Sequence, residues 1–267
     1  MPTPPPRPGA VTYSPRPVSV RLVPAGRPLA WLAAGWRDFT RAPLPSMFHG
    51  LVVAAGGWVI LLLTLRQWSL LPGAFSGFLL MGPILATGLY ELSRRLAAGG
   101  RPTLADAVAA WRRGTRPLVS MGLLLALAAT TWVLISAVMV ALFVQAPFSG
   151  VEGLVRHVIL SESSNLFYLW IALGGFGASL VFAATVVSVP LLLDRDVDFV
   201  TAVLASMRAV GENPVPMAVW STIIMLATAL SMATAMLGFV LTIPVIGHAT
   251  WHAYRDVVDA EALPPRT

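Results

Sequence analysis

Residues 111–143 read WRRGTRPLVSMGLLLALAATTWVLISAVMVALF. The first six residues contain Arg112, Arg113 and Arg116, and the stretch 117–143 contains no charged residue at all. A helix that crosses about 30 Å of hydrocarbon needs about 20 apolar residues, so this stretch is long enough to span a bilayer. Basic side chains resist translocation, so the arginines mark the side from which it enters.

The composition agrees with a lipid environment. Of 267 residues, 57% are hydrophobic and 11% are charged, where soluble domains carry about a quarter charged residues. A mean hydropathy of +0.76 leaves too little polar surface to cover a soluble globule. All 18 basic residues are arginine, and the formal net charge is +6. A basic chain raises the question of nucleic acid, but these arginines flank apolar segments. They read as marks of orientation and contacts to a bilayer with anionic headgroups, and no nucleic-acid partner is expected. The absence of cysteine excludes disulfides, thiolate metal ligands and cysteine nucleophiles. Residues 1–28 are rich in proline and arginine and lack an apolar core, so they read as a disordered or extended cytoplasmic tail and not as a signal peptide. Residues 259–267 read as a disordered C-terminal end, which leaves 29–258 as the transmembrane domain.

Apolar runs of spanning length lie at 46–65, 69–92, 117–143, 165–192, 214–235 and 237–257. The last two form one continuous stretch, and a tight turn near Leu237-Gly238 is the natural break. With this assignment sixteen arginines fall on one side, and only Arg66 and Arg156 fall on the other. The expected fold is therefore an all-α, multi-pass protein of six transmembrane helices in a bacterial inner membrane, with both termini cytoplasmic.

An internal repeat is also legible. Trp36-Arg37-Asp38-Phe39-Thr40-Arg41-Ala42-Pro43-Leu44 matches Trp111-Arg112-Arg113-Gly114-Thr115-Arg116-Pro117-Leu118, with a fainter copy at Met207-Arg208 and Asn213-Pro214. Each closes a short amphipathic helix whose apolar residues recur every three or four positions: Leu29, Leu32, Trp36 and Phe39; Leu104, Val108 and Trp111; Phe199, Val203, Met207 and Val210. Thr103 with Asp106 resembles a capping box. Each return span carries a proline, Pro83, Pro190 or Pro244, which should kink it by removing one backbone hydrogen bond. The unit is an interfacial helix, an outward span and a kinked return span, used three times in parallel about a pseudo-threefold axis. Trp36, Arg37, Trp111, Arg112 and Arg208 would then form a cytoplasmic collar.

Three stretches carry a family resemblance: LMGPILATGLYE at 80–91, SVPLLLDRDVD at 188–198 and GHATWHAYRD at 247–256. Over about residues 20–258 the chain resembles the bacterial integral membrane family called domain of unknown function 2189. The resemblance implies membrane residence and little else, because the family defines no catalytic residue. Some members have carried a cytochrome c oxidase label.

Candidate site residues are few. His248 and His252 are four apart on one helical face, a spacing that can share a metal. A bis-histidine haem would need His49 as the opposing ligand. The alternative is that these histidines hydrogen-bond neighbouring carbonyls, and no cofactor is called for. Asp194, Asp196 and Asp198 read as a turn with one helix cap, and Glu91 as an ion-pair partner of Arg94 and Arg95. No span holds a charge near its middle, and no catalytic motif appears. The expected function is a non-enzymatic scaffold or accessory subunit of a membrane complex, one version being oxidase-linked. The alternatives are a transporter or lipid-handling protein with a cavity on the axis, and a haem-binding redox subunit.

Overall fold

A computed structural model describes residues 18–112, 114–144, 149–160 and 165–266. The described chain is all-helical in its regular structure. The elements are α1 (Arg27–Arg41), α2 (Pro43–Thr64), α3 (Leu71–Leu80), α4 (Gly82–Leu85), α5 (Thr87–Ala97), α6 (Leu104–Arg112) and α7 (Arg116–Phe143). They continue with α8 (Gly150–Leu154), α9 (Leu166–Thr185), α10 (Ser188–Asp194), α11 (Phe199–Glu212), α12 (Pro214–Ala233) and α13 (Phe239–Val257). Four segments are long and apolar enough to cross a membrane: Pro43–Thr64, Arg116–Phe143, Leu166–Asp194 and Pro214–Ala233.

Local chemistry sets the boundaries. Thr103 and Asp106 form the reciprocal capping box: the Thr103 N–H and hydroxyl donate to Asp106 Oδ2, and the Asp106 N–H donates back to Thr103 Oγ1. Asp198 caps α11 by accepting from the Thr201 N–H at 2.9 Å. Bonds to Thr201, its hydroxyl first, hold the Asp198 carboxyl below its ordinary range. Proline stands in the first turn of α2, α7 and α12, where a missing N–H costs little.

The three return-segment prolines do not act alike. The segment around Pro83 is interrupted at Met81 and again at Ala86, while Pro190 follows a break at Val186 and Val187. There the Val187 N–H donates to Ser206 Oγ on α11 at 3.1 Å, so a side chain satisfies a donor outside the helical ladder. Pro244 lies inside α13, which runs on without interruption. The turn between α12 and α13 holds Ala235 at φ 50° and Met236 at φ 69°, both left-handed. Trp58 Nε1 donates to the Ala235 carbonyl at 2.9 Å and helps fix it.

Helix α13 is the hub, touching α1, α2, α5, α10 and α12. Its closest neighbours approach through glycine. A Cβ at Gly35 would lie 2.5 Å from the Val245 carbonyl oxygen, and one at Gly50 would lie 2.5 Å from the Phe239 carbonyl oxygen. The helix ends α5, α10 and α13 pack on one another and bury Leu89, Leu92, Val189, Leu191, Ala253 and Tyr254 completely. The amphipathic helices follow one pattern: α6 lies on α5, α11 on α9 and α10, and α1 on α13.

The amphipathic helices turn mostly small residues toward their neighbours. The buried face of α1 is Trp31, Ala34, Gly35 and Asp38, while Leu29 is 63% and Trp36 49% exposed. In α6 Ala107 and Ala110 are buried, and in α11 Ala202, Ala205, Ser206 and Ala209 are. In lipid a large apolar side chain gains little by turning inward, so helices pack through small residues that let backbones approach.

The expected tails are held wherever they are described. Val20 and Val258 form an antiparallel bridge, and the Val23 N–H donates to Asn213 Oδ1 at 2.8 Å. Arg195 bridges to Pro265, and the Arg266 N–H reaches the Asp194 carbonyl. Backbone contacts therefore tie Ser19, Val20, Arg21 and Val23, and Val258, Asp259, Pro264, Pro265 and Arg266, to the helical body, and the part of the N-terminal expectation covering 1–17 lies outside the described residues.

Gly50→Ala should cost about 1–3 kcal/mol through overpacking, more than the up to about 1 kcal/mol of helix propensity it gains. Gly175→Ala, where nothing stands within 4 Å, should be neutral or stabilising. Thermal unfolding of the two variants in detergent checks this, and equal midpoints would refute it.

Candidate functional site

Four helices bring a buried polar network together at the arginine-rich end. Asp38 lies on the face of α1 that packs on α13, Ser46 in the first turn of α2, Ser93 on α5, and His248 and His252 on α13. Asp38 is 5% exposed, while Ser46 and His248 are fully buried.

The contacts form a chain. Ser46 Oγ donates to the Ala42 carbonyl at 2.6 Å and meets His248 Nε2 at 2.9 Å. His248 Nδ1 meets Ser93 Oγ at 2.7 Å, and Ser93 Oγ donates to Asp38 Oδ2 at 2.7 Å. The same Asp38 oxygen takes His252 Nε2 at 2.8 Å. Burial opposes ionisation of Asp38, but the hydrogen bonds from His252 and Ser93 outweigh it and hold its pKa below the ordinary carboxylate value.

Proton counting constrains this chain. Four links join the Ala42 carbonyl, Ser46, His248, Ser93 and Asp38, and both ends are acceptors when Asp38 is ionised. Each serine supplies one hydrogen and a neutral imidazole supplies one, so one link lacks a proton. A single added proton completes all four links, resting either on His248 or on Asp38. The network therefore runs from hydroxyl to imidazole to hydroxyl to carboxylate.

The sequence candidates are placed as follows. His248 and His252 diverge: both ring nitrogens of His248 face serines, while His252 faces Asp38. His49 is buried 2% exposed on α2, and its Nδ1 bonds the Pro45 carbonyl at 2.9 Å. Its Nε2 has no hydrogen-bond partner, and it lies 2.1 Å from where a Cβ on residue 88 would stand. Gly88 is thus the space that accommodates the imidazole edge, and Trp111 packs on it with ring centroids 5.1 Å apart. The three histidines do not converge, and among the described residues no group of three or more acidic, histidine or cysteine side chains is placed to hold a metal.

The collar residues lie on three separate helices. Trp36 and Arg37 are exposed on α1, and Arg112 is exposed on α6. Arg208 on α11 pairs with Glu212 at 2.8 Å and reaches the Val18 carbonyl. Glu91 is 3% exposed and binds Arg94 and Arg95, each at 2.7 Å. Arg95 also spans to Asp106 at 3.0 Å, which ties α5 to α6. Asp194 accepts from the Tyr254 hydroxyl at 2.8 Å and from Arg195 at 3.1 Å, so it is an internal anchor.

The sequence reading missed Asp38, Ser46 and Ser93. The one local signal was that Asp38 falls seven residues after Trp31, on the same helical face as Ala34 and Gly35.

Ser93→Ala leaves the Asp38 carboxylate and His248 Nδ1 each short of a partner and should cost about 1–3 kcal/mol. Asp38 has a folded-state pKa below its unfolded value of 3.8, so its ionised form stabilises the fold above that value. The gain is lost as the pH falls through the folded-state pKa. The stability difference between wild type and Asp38→Asn should therefore shrink as the pH drops from about 6 to below about 4. Chemical or thermal unfolding followed by near-UV circular dichroism measures both effects, and a pH-independent difference would refute the assignment.

Searches of curated proteins and of solved structures returned no match. Residues 70–194, which run from the first return segment through α10, match the family model described as "Predicted integral membrane protein (DUF2189)". Through that segment the chain is similar to this family of integral membrane proteins.

Proposed function

We propose that the protein is a non-enzymatic scaffold or accessory subunit of a complex in the bacterial inner membrane. In this reading it has six spans, built as three parallel copies of an amphipathic helix, an outward span and a return span, with both termini cytoplasmic. The observation that carries the reading is the solid centre. The inner ends of the three return segments, α5, α10 and α13, bury Leu89, Leu92, Val189, Leu191 and Tyr254 against each other. A closed centre suits a body whose outer faces do the work, and those faces are apolar: Leu63, Leu123, Phe176 and Leu226 are all more than 60% exposed.

The threefold reading is supported by the shared seat of the amphipathic helices. Each lies on the return segment that precedes it in cyclic order, and α1 on α13 closes the ring. The sixteen-to-two division of arginines supports the orientation, as does the meeting of residues 19–21 with 257–259 at one end. An oxidase-linked complex is one version of the accessory role.

Affinity purification from native membranes in a mild detergent should recover a stoichiometric membrane-protein partner. Recovery of the chain alone, after cross-linking in the intact membrane, would overturn the reading. A C-terminal green fluorescent protein fusion should fluoresce and a C-terminal alkaline phosphatase fusion should stay inactive; the reverse pattern would overturn the topology.

A further inference from the structure

We propose that an anionic phospholipid binds at the junction of α1, α12 and α13, its phosphate among Arg37, Arg27 and Arg255 and an acyl chain along the groove beside them. The inference rests on membrane residence and is independent of the scaffold reading.

Two hollows meet at Arg37. One, of about 350 Å³, is lined by Arg27, Arg37, Arg255, His252 and Asp256. The other is an apolar groove of about 690 Å³, lined on α1 by Leu32, Ala33 and Trp36, on α12 by Ile223, and on α13 by Val245 and Ile246. Arg37 lines both.

Charge decides the kind of ligand. Three guanidinium groups face one carboxylate in the first hollow, and that carboxylate is already committed. Asp256 accepts from Arg27 and from Trp31 Nε1. Arg255 shares Asp194 at 3.4 Å and Glu261 at 3.7 Å, both long contacts. Arg37 has no carboxylate partner among the described residues. The surplus is cationic, and guanidinium groups suit phosphate oxygens.

The groove decides the rest. A free inorganic anion would satisfy Arg37 and leave the apolar wall unused. A zwitterionic lipid would fill the wall and bring its own cation to the arginines. A molecule with a net negative head joined to a hydrocarbon chain meets both demands at once. Leu32, Ala33 and Trp36 form the α1 wall of the groove, while Gly35 lets the helix sit close on α13.

The test uses the full chain purified into detergent and titrated with phosphatidylglycerol, with phosphatidylcholine of the same chains, and with inorganic phosphate. Native mass spectrometry and thermal shift read the binding. Phosphatidylglycerol should be retained and should stabilise, while phosphatidylcholine and phosphate should do neither. Arg37→Gln should weaken phosphatidylglycerol about tenfold, the loss expected for one charge-assisted contact. Ala33→Trp, which fills the groove and spares every arginine, should weaken it comparably. Arg41→Gln, on the same helix but outside both hollows, should change nothing. Equal binding of the two lipids, full protection by phosphate alone, no effect of Arg37→Gln or of Ala33→Trp, an equal effect of Arg41→Gln, or a copurifying protein helix cross-linked to the groove in place of lipid would each overturn the proposal.

Discussion

The distance at which helices meet α13 governs everything built around it. At Gly35 and Gly50 the neighbouring backbones come so close that a methyl group would need to sit 2.5 Å from a carbonyl oxygen. Gly247 makes the same allowance for the Leu89 side chain, again at 2.5 Å. Between helices in lipid there is little hydrophobic drive, so dispersion and interhelical hydrogen bonds must hold them, and both fall steeply with separation. Glycine therefore sets the approach, and the approach puts Asp38, Ser46 and Ser93 within hydrogen-bond reach of His248 and His252. The polar network follows from the packing, because these side chains stand on helices too far apart in sequence to meet otherwise.

Much of this fold is legible in the sequence, because its strongest signals are local. Four of the six expected spans, those at 46–65, 117–143, 165–192 and 214–235, coincide with helices long and apolar enough to cross a membrane, because length and lack of charge are local properties. Helix starts are marked by Thr103 with Asp106, by Asp198, and by proline in the first turns of α7 and α12. The break between the last two long helices falls at Ala235 and Met236, beside the expected Leu237-Gly238. The apolar stripe of Leu29, Leu32, Trp36 and Phe39 is legible as periodicity, but which face packs on α13 is not, because Trp31, Ala34, Gly35 and Asp38 are chosen by the neighbour and not by the stripe.

The candidate site was less legible for a different reason. His248 and His252 drew notice as a pair because four-residue spacing puts them on one face of a helix. Once α13 is surrounded, that face is divided between neighbours: His248 falls between α2 and α5, and His252 falls toward α1. Ser46 and Ser93 are ordinary residues in their local contexts, separated from His248 by 202 and 155 positions. Nothing within a window of one helix could join them. Asp38 was within reach of inspection, since an acid among Trp31, Ala34 and Gly35 on a packing face must find a partner or neutralise. Its partners come from α5 and α13, which only the tertiary arrangement supplies.

The arrangement also separates where the molecule is tight from where it is open. α2 is seated firmly on α13, and α7 on α3. Among the described residues α12 makes no comparable contact with α9. Its inner surface instead meets α1 and α13, and the apolar groove opens between these three. The ends of α5, α10 and α13 pack completely around a centre of Leu89, Leu191 and Tyr254, and the open space lies outside that centre, between α1, α12 and α13. A ligand that enters the groove therefore meets the molecule on its perimeter.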